Sequence, residues 1–247
     1  MIHTVFFKSL HAIAFATVTF LFFVTITNSR ADEGLIRIKL TVGYASYSSP
    51  YNSSLLISNY ATQGLGVTYI WPSNFYVDFS TKINGANATY NAKSVFATQV
   101  TDDQKFTRTE NTLTIGTPLA NGLQANAGIF KSDTIYDIGT LGDFSQKITG
   151  LTAGLGKGFL IEEGRAGSFG LSGAFALLNA VNKNWLGASE NSNISYGVSV
   201  GAVYNYAISR GLNISADTKF QTYFITYPTF SGDERIFSTS LSLVGQF

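Results

Sequence analysis

The chain has 247 residues, of which 13% are charged and 14% aromatic, with 24 glycines, no cysteine and a formal net charge of +1. These figures exclude a disulfide-stapled scaffold, a cysteine-ligated metal site and a disordered chain. The near-neutral balance, without any basic run, also argues against nucleic-acid binding. The composition indicates a folded chain that is poor in charge and rich in aromatic rings.

Residues 1–31 have the pattern of a cleaved secretory signal peptide. Lys8 supplies a positive charge ahead of an uncharged apolar run, residues 12–27, which is shorter than the about 20 residues of a spanning helix. The run ends in Ser29-Arg30-Ala31, where small residues occupy the positions that a signal peptidase reads. The alternative is an uncleaved N-terminal membrane anchor.

From residue 32 onward, apolar residues recur at every second position, which predicts β-strands with one apolar face. In the first run, residues that are polar or small separate Ile36, Ile38, Leu40, Val42 and Tyr44. The same alternation recurs in residues 75–82, 194–201 and 212–221. No stretch of this part of the sequence has the pattern of a convincing amphipathic helix.

Short turn signals are centred near residues 73, 120, 165 and 210. Between them, we predict longer polar loops at about 46–61, 85–106, 132–146, 180–193 and 226–234. Four short turns and five long loops join ten strands, with eight strands as the nearest alternative.

A soluble β-sandwich shows the same alternation, with its apolar face buried between two sheets. Three features instead favour an all-β, transmembrane, antiparallel up-and-down barrel over residues 32–247. The face opposite the apolar one carries small or charged residues, the runs are about ten residues or a little longer, and short and long connections alternate. Aromatic residues at strand ends, such as Tyr69, Trp71 and Phe75, are then expected at the lipid–water boundary.

Charged residues on the strands should face the barrel lumen, because a lipid-facing charge at mid-bilayer costs ~2–4 kcal/mol. The predicted lumen charges are Arg37, Lys39, Asp78, Lys82, Arg108, Glu110, Asp217 and Lys219. Lys157 falls on the outer face, near a turn from which its side chain can reach the boundary. Glycine, serine and alanine on the lumen face of residues 154–158, 170–176 and 195–201 predict a narrow interior.

The final run, residues 237–247, alternates between apolar and polar residues and ends in an aromatic residue. It resembles the terminal strand of Gram-negative outer-membrane β-barrel proteins, in which such residues form the assembly signal. The matching positions are Phe237, Leu241, Leu243 and Phe247, whereas Gly245 departs from the pattern because a larger residue is usual there. The resemblance implies a bacterial outer-membrane location, contact with outer-membrane lipids and recognition of the C-terminal strand by the barrel-assembly machinery.

The stretch Gly197-Val198-Ser199-Val200-Gly201 matches the G-x-S-x-G nucleophile pattern. That chemistry needs a strand-to-helix elbow and a histidine base. Here the serine lies in mid-strand, and both histidines, His3 and His11, fall in the predicted signal peptide. Acidic pairs such as Asp102-Asp103 lack the regular spacing of calcium ligands. We therefore expect no enzyme, no cofactor and no metal site.

Two functions remain open. The first is a structural barrel that displays loops at the cell surface to an extracellular ligand that the sequence does not specify. The alternative is a narrow channel for ions or small solutes along the Gly/Ser/Ala side of the lumen, with conductance sensitive to Lys39, Asp78 or Lys82. Ten strands are too few for a general porin of ~16, and we favour an ion-paired, plugged interior because unpaired buried charges are costly.

Overall fold

The computed structural model describes residues 34–51, 54–85, 88–93, 105–137, 142–162, 166–184 and 186–247. The predicted signal peptide lies outside these residues and stays a prediction. Within them the chain forms a short 3₁₀ turn, Ala120–Gly122, and the strands β1 (Leu35–Tyr51), β2 (Ser54–Ile70), β3 (Tyr76–Asn84), β4 (Tyr90–Lys93), β5 (Phe106–Pro118), β6 (Leu123–Asp137), β7 (Asp143–Leu160), β8 (Ser168–Lys183), β9 (Ser189–Asn191), β10 (Ser195–Ser209), β11 (Leu212–Thr226) and β12 (Ser231–Gln246).

Ten of these strands close into an antiparallel barrel in the order β1-β2-β3-β5-β6-β7-β8-β10-β11-β12, and β12 pairs again with β1. The short strand β4 pairs with β2 beyond the end of β3, and β9 pairs with β8 ahead of β10. Each short strand therefore extends the wall along the barrel axis and does not add a strand to its circumference. The predicted ten-stranded up-and-down barrel is confirmed.

The seam between the first and last strands is fully hydrogen-bonded. Its register runs from Arg37 opposite Gln246 to Ser48 opposite Arg235. The amide of Ile36 donates to the Phe247 carbonyl at 3.0 Å, and the Phe247 amide donates back to the Ile36 carbonyl at 2.9 Å. Closure pairs each of the ten barrel strands with a neighbour on both sides, which removes the usual route to edge-to-edge aggregation.

The two ends of the barrel differ. One end, which we call the turn end, carries the short connections 71–75, 119–122, 161–167 and 210–211 together with residues 34 and 247. Asn74 and Asn121 adopt left-handed backbone angles there, with φ of 61° and 59°, a conformation that asparagine tolerates well. All four turn signals fall at this end, and we call the opposite end the loop end.

The wall has an apolar outer face and an inner face of small, polar or aromatic residues, because successive side chains of a strand point to opposite sides. Large apolar side chains are exposed on the outside of every barrel strand; examples are Val42, Leu65, Phe79, Leu113, Ile129, Leu151, Leu171, Val200, Phe220 and Leu241. Their neighbours in sequence, such as Thr41, Ser199 and Ser242, face inward. The hydroxyls of Thr41 and Ser242 lie 2.9 Å apart inside the lumen.

The predicted long loops were wrong over much of their length, because the strands continue into them. β1 and β2 each have 17 residues and continue to the connection at 52–53, in place of the loop predicted at 46–61. The ranges 132–146, 180–193 and 226–234 also begin or end in strand, while residues 94–104 lie outside the described part. At about 3.3 Å per residue and a tilt of about 40°, 17 residues rise roughly 40 Å, about 15 Å more than the apolar band of such barrels.

Candidate functional site: the barrel lumen

The loop-end half of the lumen is filled by a cluster that we call the plug. Aromatic side chains enter it from β1, β2, β5, β6, β7 and β11 and surround a buried arginine and a buried glutamate. The members are Tyr47, Tyr60, Phe106, Tyr136, Phe144, Tyr223, Arg108 and Glu234. The plug therefore draws on strands from around most of the wall.

Ring-to-ring contacts hold the aromatic part of the plug together. The Phe106 ring lies 5.4 Å from that of Tyr47, 5.1 Å from that of Tyr60 and 5.3 Å from that of Tyr136, measured between centroids. Tyr136 in turn stacks on Phe144 at 4.2 Å. Aromatic pairs at these separations add about 0.5–1.5 kcal/mol each beyond the area that they bury, so this half of the lumen is a packed core.

Arg108 is the charged centre of the plug. Its guanidinium donates to Glu110 Oε1 at 2.9 and 3.1 Å and to Thr134 Oγ1 at 2.9 Å, and it lies 5.0 Å from the centroid of the Tyr47 ring. Nη1 also lies 2.9 Å from Glu234 Oε1, an ion pair whose angle does not make a hydrogen bond. The Tyr47 hydroxyl donates to the other Glu234 oxygen at 3.2 Å, so both charges have partners inside the barrel.

Asn84 holds the start of β5 where its pairing with β3 stops. The last register pair between the two strands is Ile83 with Thr109. Beyond it, the Asn84 amide nitrogen donates to the Phe106 carbonyl at 2.5 Å, and the Arg108 amide donates to Asn84 Oδ1 at 2.8 Å. This side chain thus takes the place of a backbone partner and fixes the strand segment that carries Phe106 and Arg108.

The other predicted lumen charges lie toward the turn end and do not gather at one point. Lys39 Nζ lies 3.7 Å from Asp217 Oδ2, which also accepts from Ser240 at 2.5 Å. Asp78 accepts from the Thr68 hydroxyl at 2.5 Å, and Arg37 donates to the Gln246 side chain at 3.3 Å. Lys82 lies opposite Glu110 in the strand register, and Lys219 projects inward from β11. Lys157 lies outside, 5.3 Å from the Phe159 ring centroid near the turn end.

A cavity of about 250 Å³, which we call the lumenal cavity, lies directly on the turn-end side of the plug. Small residues of β8 and β10, among them Ser172, Ala174, Gly197 and Ser199, form one side of it, and Lys219 borders it. Ser199, the serine of the G-x-S-x-G match, is thus a cavity-lining residue in the middle of a strand. No group of His, Cys, Asp or Glu side chains suited to a metal ion occurs among the described residues.

The C-terminal residues that resemble an assembly signal share the outer face of β12. Phe237, Leu241 and Leu243 are exposed there. A Cβ atom on Gly245 would lie 3.1 Å from the Phe247 ring, so the missing side chain leaves room for the terminal ring on the same face. The departure at Gly245 from the usual pattern therefore has a packing reason.

Glu234 and the aromatic part of the plug were not among the residues predicted from the sequence. Glu234 fell in the predicted loop at 226–234, and Tyr47 and Tyr60 fell in the loop predicted at 46–61. A usable signal was present, because Tyr47 and Ser49 continue the inward-facing set of β1 while Ser46 and Ser48 continue the outward set. Beyond the apolar band, on the loop-end side, the outer residues of the strands are polar and the inner residues are aromatic. In the sequence, such a segment resembles a polar loop.

Within the described ranges, no helix is long and apolar enough to span a bilayer.

No protein-family model and no curated protein sequence matches the chain. Among solved structures, it is similar to the outer membrane protease OmpT from Escherichia coli, with 12% identity over 90% of this chain and 100% of that chain and a TM-score of 0.61. It is also similar to the translocator domain of autotransporter NalP from Neisseria meningitidis (13% identity, 97% and 98% covered, TM-score 0.48) and to Neisserial surface protein A (13%, 87% and 100%, 0.40).

The likeness to OmpT shows the fold and, at this identity, the fold alone. Together with the closed ten-stranded wall and its apolar outer surface, it defines an outer-membrane β-barrel with transmembrane strands. The location that follows from this architecture is the bacterial outer membrane.

Proposed function

We propose that the protein is a sealed outer-membrane scaffold that presents its loop end at the cell surface to an extracellular ligand. The observation that carries this proposal is the plug, which occupies the lumen on the loop-end side. The alternative, a narrow channel for ions or small solutes, needs a continuous aqueous path that the plug interrupts.

The plug supports a seal because its central side chains have almost no accessible surface. Tyr47 and Tyr136 are 1% exposed, and the Arg108 and Glu234 side chains are 2% and 1% exposed. A hydrated ion needs a polar path several ångströms wide, and here the charged groups are already neutralised by each other. An ion that crossed would have to displace packed rings and break the Arg108–Glu234 pair.

The position and shape of the loop end support the proposal that it is presented to an extracellular ligand. In barrels of this class the short turns face the periplasm and the longer connections face outward, which assigns the loop end to the cell surface. β1 and β2, with 17 residues each, rise about 15 Å more than the apolar band, and the outer residues at the loop end of β12, Asp233 and Arg235, are polar. A rigid, hydrogen-bonded rim of this kind holds binding loops in fixed positions.

The proposal includes no catalytic step. After residue 31 the sequence contains neither histidine nor cysteine, so Ser199 has no imidazole base to accept its proton. Its position on the lumenal cavity, below the plug, also separates it from substrates at the surface.

Single-channel recording in planar bilayers tests the seal. We expect the purified, folded protein to be silent, and the double variant Phe106→Ala/Tyr136→Ala, which removes two central rings, to give conductance steps. The control is Tyr196→Ala, which removes an outward-facing ring and should remain silent. Discrete steps from the unchanged protein, altered by substitutions at Lys39, Asp78 or Lys82, would instead establish the channel.

Adhesion assays test the display. Replacing residues 95–103 by a short Gly/Ser linker should leave the barrel folded, as judged by its mobility on unboiled SDS gels. Binding of expressing cells to host-cell and matrix-coated surfaces should fall to the level of cells without the protein. Unchanged binding would contradict display through residues 95–103.

A further inference from the structure

A pocket opens on the outside of the wall at the loop end, where β10, β11, β12 and β1 run side by side. We call it the wall pocket, and its volume of about 590 Å³ is within the roughly 300–1,000 Å³ of pockets that hold small ligands. The side chains that line it face outward from these strands, so the wall pocket is separate from the lumen and from the plug. Among them are Ser48, Tyr196, Phe224, Thr226, Asp233 and Arg235.

Two aromatic rings line the wall pocket on the β10–β11 side. Tyr196 and Phe224 lie opposite each other in the strand register, and their rings stack at 4.9 Å between centroids, with 29° between the ring planes. The Tyr196 side chain remains 47% exposed. This side therefore offers a preformed apolar surface, and aromatic rings provide such a surface at a low cost in side-chain entropy.

A charge pair and hydroxyl groups line the wall pocket on the β12–β1 side. Arg235 Nη2 donates to Asp233 Oδ2 at 3.3 Å, which uses only one of the N–H donors of the guanidinium. Both side chains are well exposed, so they keep polar atoms available to a ligand. Ser48 lies opposite Arg235 in the register and adds a hydroxyl. A guanidinium beside a carboxylate presents donors and acceptors at one place, which suits a ligand with several hydroxyls.

The charges of the wall pocket indicate an uncharged ligand. Among the described residues, the charged side chains that line it are Asp233 and Arg235, so its charges balance. Neither an anionic phosphate nor an ammonium group gains a net attraction there. A hexose ring fits this pocket better, because its C–H face is apolar and its rim carries hydroxyls that both donate and accept. The C–H face packs on an aromatic ring, and the hydroxyls bond to the charge pair.

The position of the wall pocket indicates where its occupant comes from. The next outward residues toward the turn end are Val198 on β10 and Phe237 on β12, and both are exposed on the apolar outer face that contacts lipid. The pocket faces sideways from the wall directly beyond this face. It therefore lies beside the headgroup layer of the outer leaflet, since the loop end faces the cell surface. A lipid whose chains lie over Val198 and Phe237 places its headgroup in the pocket.

We propose that the wall pocket binds the sugar headgroup of a glycolipid in the outer leaflet, with a hexose ring on the Tyr196 and Phe224 rings and its hydroxyls bonded to Asp233 and Arg235. An aromatic residue of the lipid–water boundary needs no charge pair beside it, and the combination of rings, charges and hydroxyls points to a sugar. The site is distinct from the loops of the surface function proposed above and takes from that proposal only the orientation of the loop end.

Native mass spectrometry of the purified, folded protein tests the site, with a synthetic diglucosyl diacylglycerol as the probe and a detergent that has no sugar headgroup. We expect one glycolipid to bind saturably. Tyr196→Ala removes the exposed ring, and Asp233→Asn/Arg235→Gln removes the charge-assisted hydrogen bonds, so each should weaken binding at least about tenfold. The matched control is Lys131→Gln/Asp133→Asn, which removes an ion pair on the outer face of β6 and should leave the affinity unchanged.

Two comparison ligands separate the contribution of the sugar from that of the chains. Phosphatidylglycerol with the same chains, and maltose, which has no chains, should each bind at least about tenfold more weakly than the glycolipid. Equally tight phosphatidylglycerol would overturn the assignment to a sugar, and equally tight maltose would overturn the assignment to a lipid. Absence of saturable glycolipid binding, or equal affinity in the pocket variants, would overturn the proposal. Adhesion through residues 95–103 is measured in cells and is unaffected by any of these outcomes.

Discussion

Removing the arginine at the centre of the plug should destabilise the barrel more than any exposed charge change. Arg108→Met keeps most of the side-chain length and removes the guanidinium. Glu234 is then left with the Tyr47 hydroxyl at 3.2 Å, and Glu110 loses both of its bonds to the guanidinium. One of these carboxylates is buried almost completely, so water cannot replace the lost partner.

The magnitude follows from that burial. Breaking a buried ion pair by removing one partner costs about 3–5 kcal/mol, because the remaining charge is left uncompensated. The Arg108 and Glu234 side chains, at 2% and 1% exposed, meet this condition. The matched control is Arg235→Met, whose ion pair with Asp233 at 3.3 Å is 60% and 41% exposed; pairs of that kind contribute about 0–1 kcal/mol.

Urea unfolding of the barrel in lipid vesicles, followed by tryptophan fluorescence, measures both variants against the unchanged protein. We expect Arg108→Met to lower the unfolding free energy by about 3–5 kcal/mol and Arg235→Met by less than about 1 kcal/mol. Adding Glu234→Gln to Arg108→Met should restore much of the loss, since the almost completely buried carboxylate that lost its partner is then replaced by a neutral amide. A loss in Arg108→Met no larger than that in Arg235→Met would refute the assignment of Arg108 as the centre of a dry plug.

Three further outcomes follow from the two faces of the wall. Leu151→Lys puts a charge on the lipid side and should cost ~2–4 kcal/mol in the same unfolding assay, whereas Thr152→Lys, one residue on, faces the lumen and should cost less. Gly197→Ala brings a Cβ to 2.5 Å from the Tyr223 ring and should cost about 1–3 kcal/mol, while Gly173→Ala, whose Cβ would meet nothing closer than 3.8 Å, should be nearly neutral. Phe247→Ala should lower the amount of folded barrel recovered from outer membranes without changing refolding of the purified protein; equal recovery would contradict an assembly role.

The sequence predicts the barrel well because lipid imposes a simple rule on one face of each strand. Every second residue must be apolar over the width of the bilayer, and this pattern locates ten strands and the four short turns. It also predicts which side of the wall Arg108 and Glu110 occupy, because a charge on the lipid side is costly.

The plug is harder to predict, because its contacts join strands that are far apart in the chain. The position of Arg108 on the inner face follows from alternation, but its pairing with Glu234 depends on barrel closure and on the stagger of the strands. The place of Tyr47 and Tyr60 in the plug was not predicted for another reason. The outer face of the strands beyond the bilayer is polar, so the sequence of these segments resembles that of loops. A search for inward-facing aromatic residues beyond the apolar band would have found them.

Site-directed spin labelling along β10 tests the central claim about the two faces most directly. The chain has no cysteine, so Val198→Cys, Ser199→Cys, Val200→Cys and Gly201→Cys can each be labelled singly in lipid vesicles. We expect lipid-soluble oxygen to relax the labels at 198 and 200 strongly and those at 199 and 201 weakly, with no collision between the outer labels and a water-soluble nickel reagent. Loss of this alternation, or its reversal, would contradict a barrel whose apolar side chains face lipid.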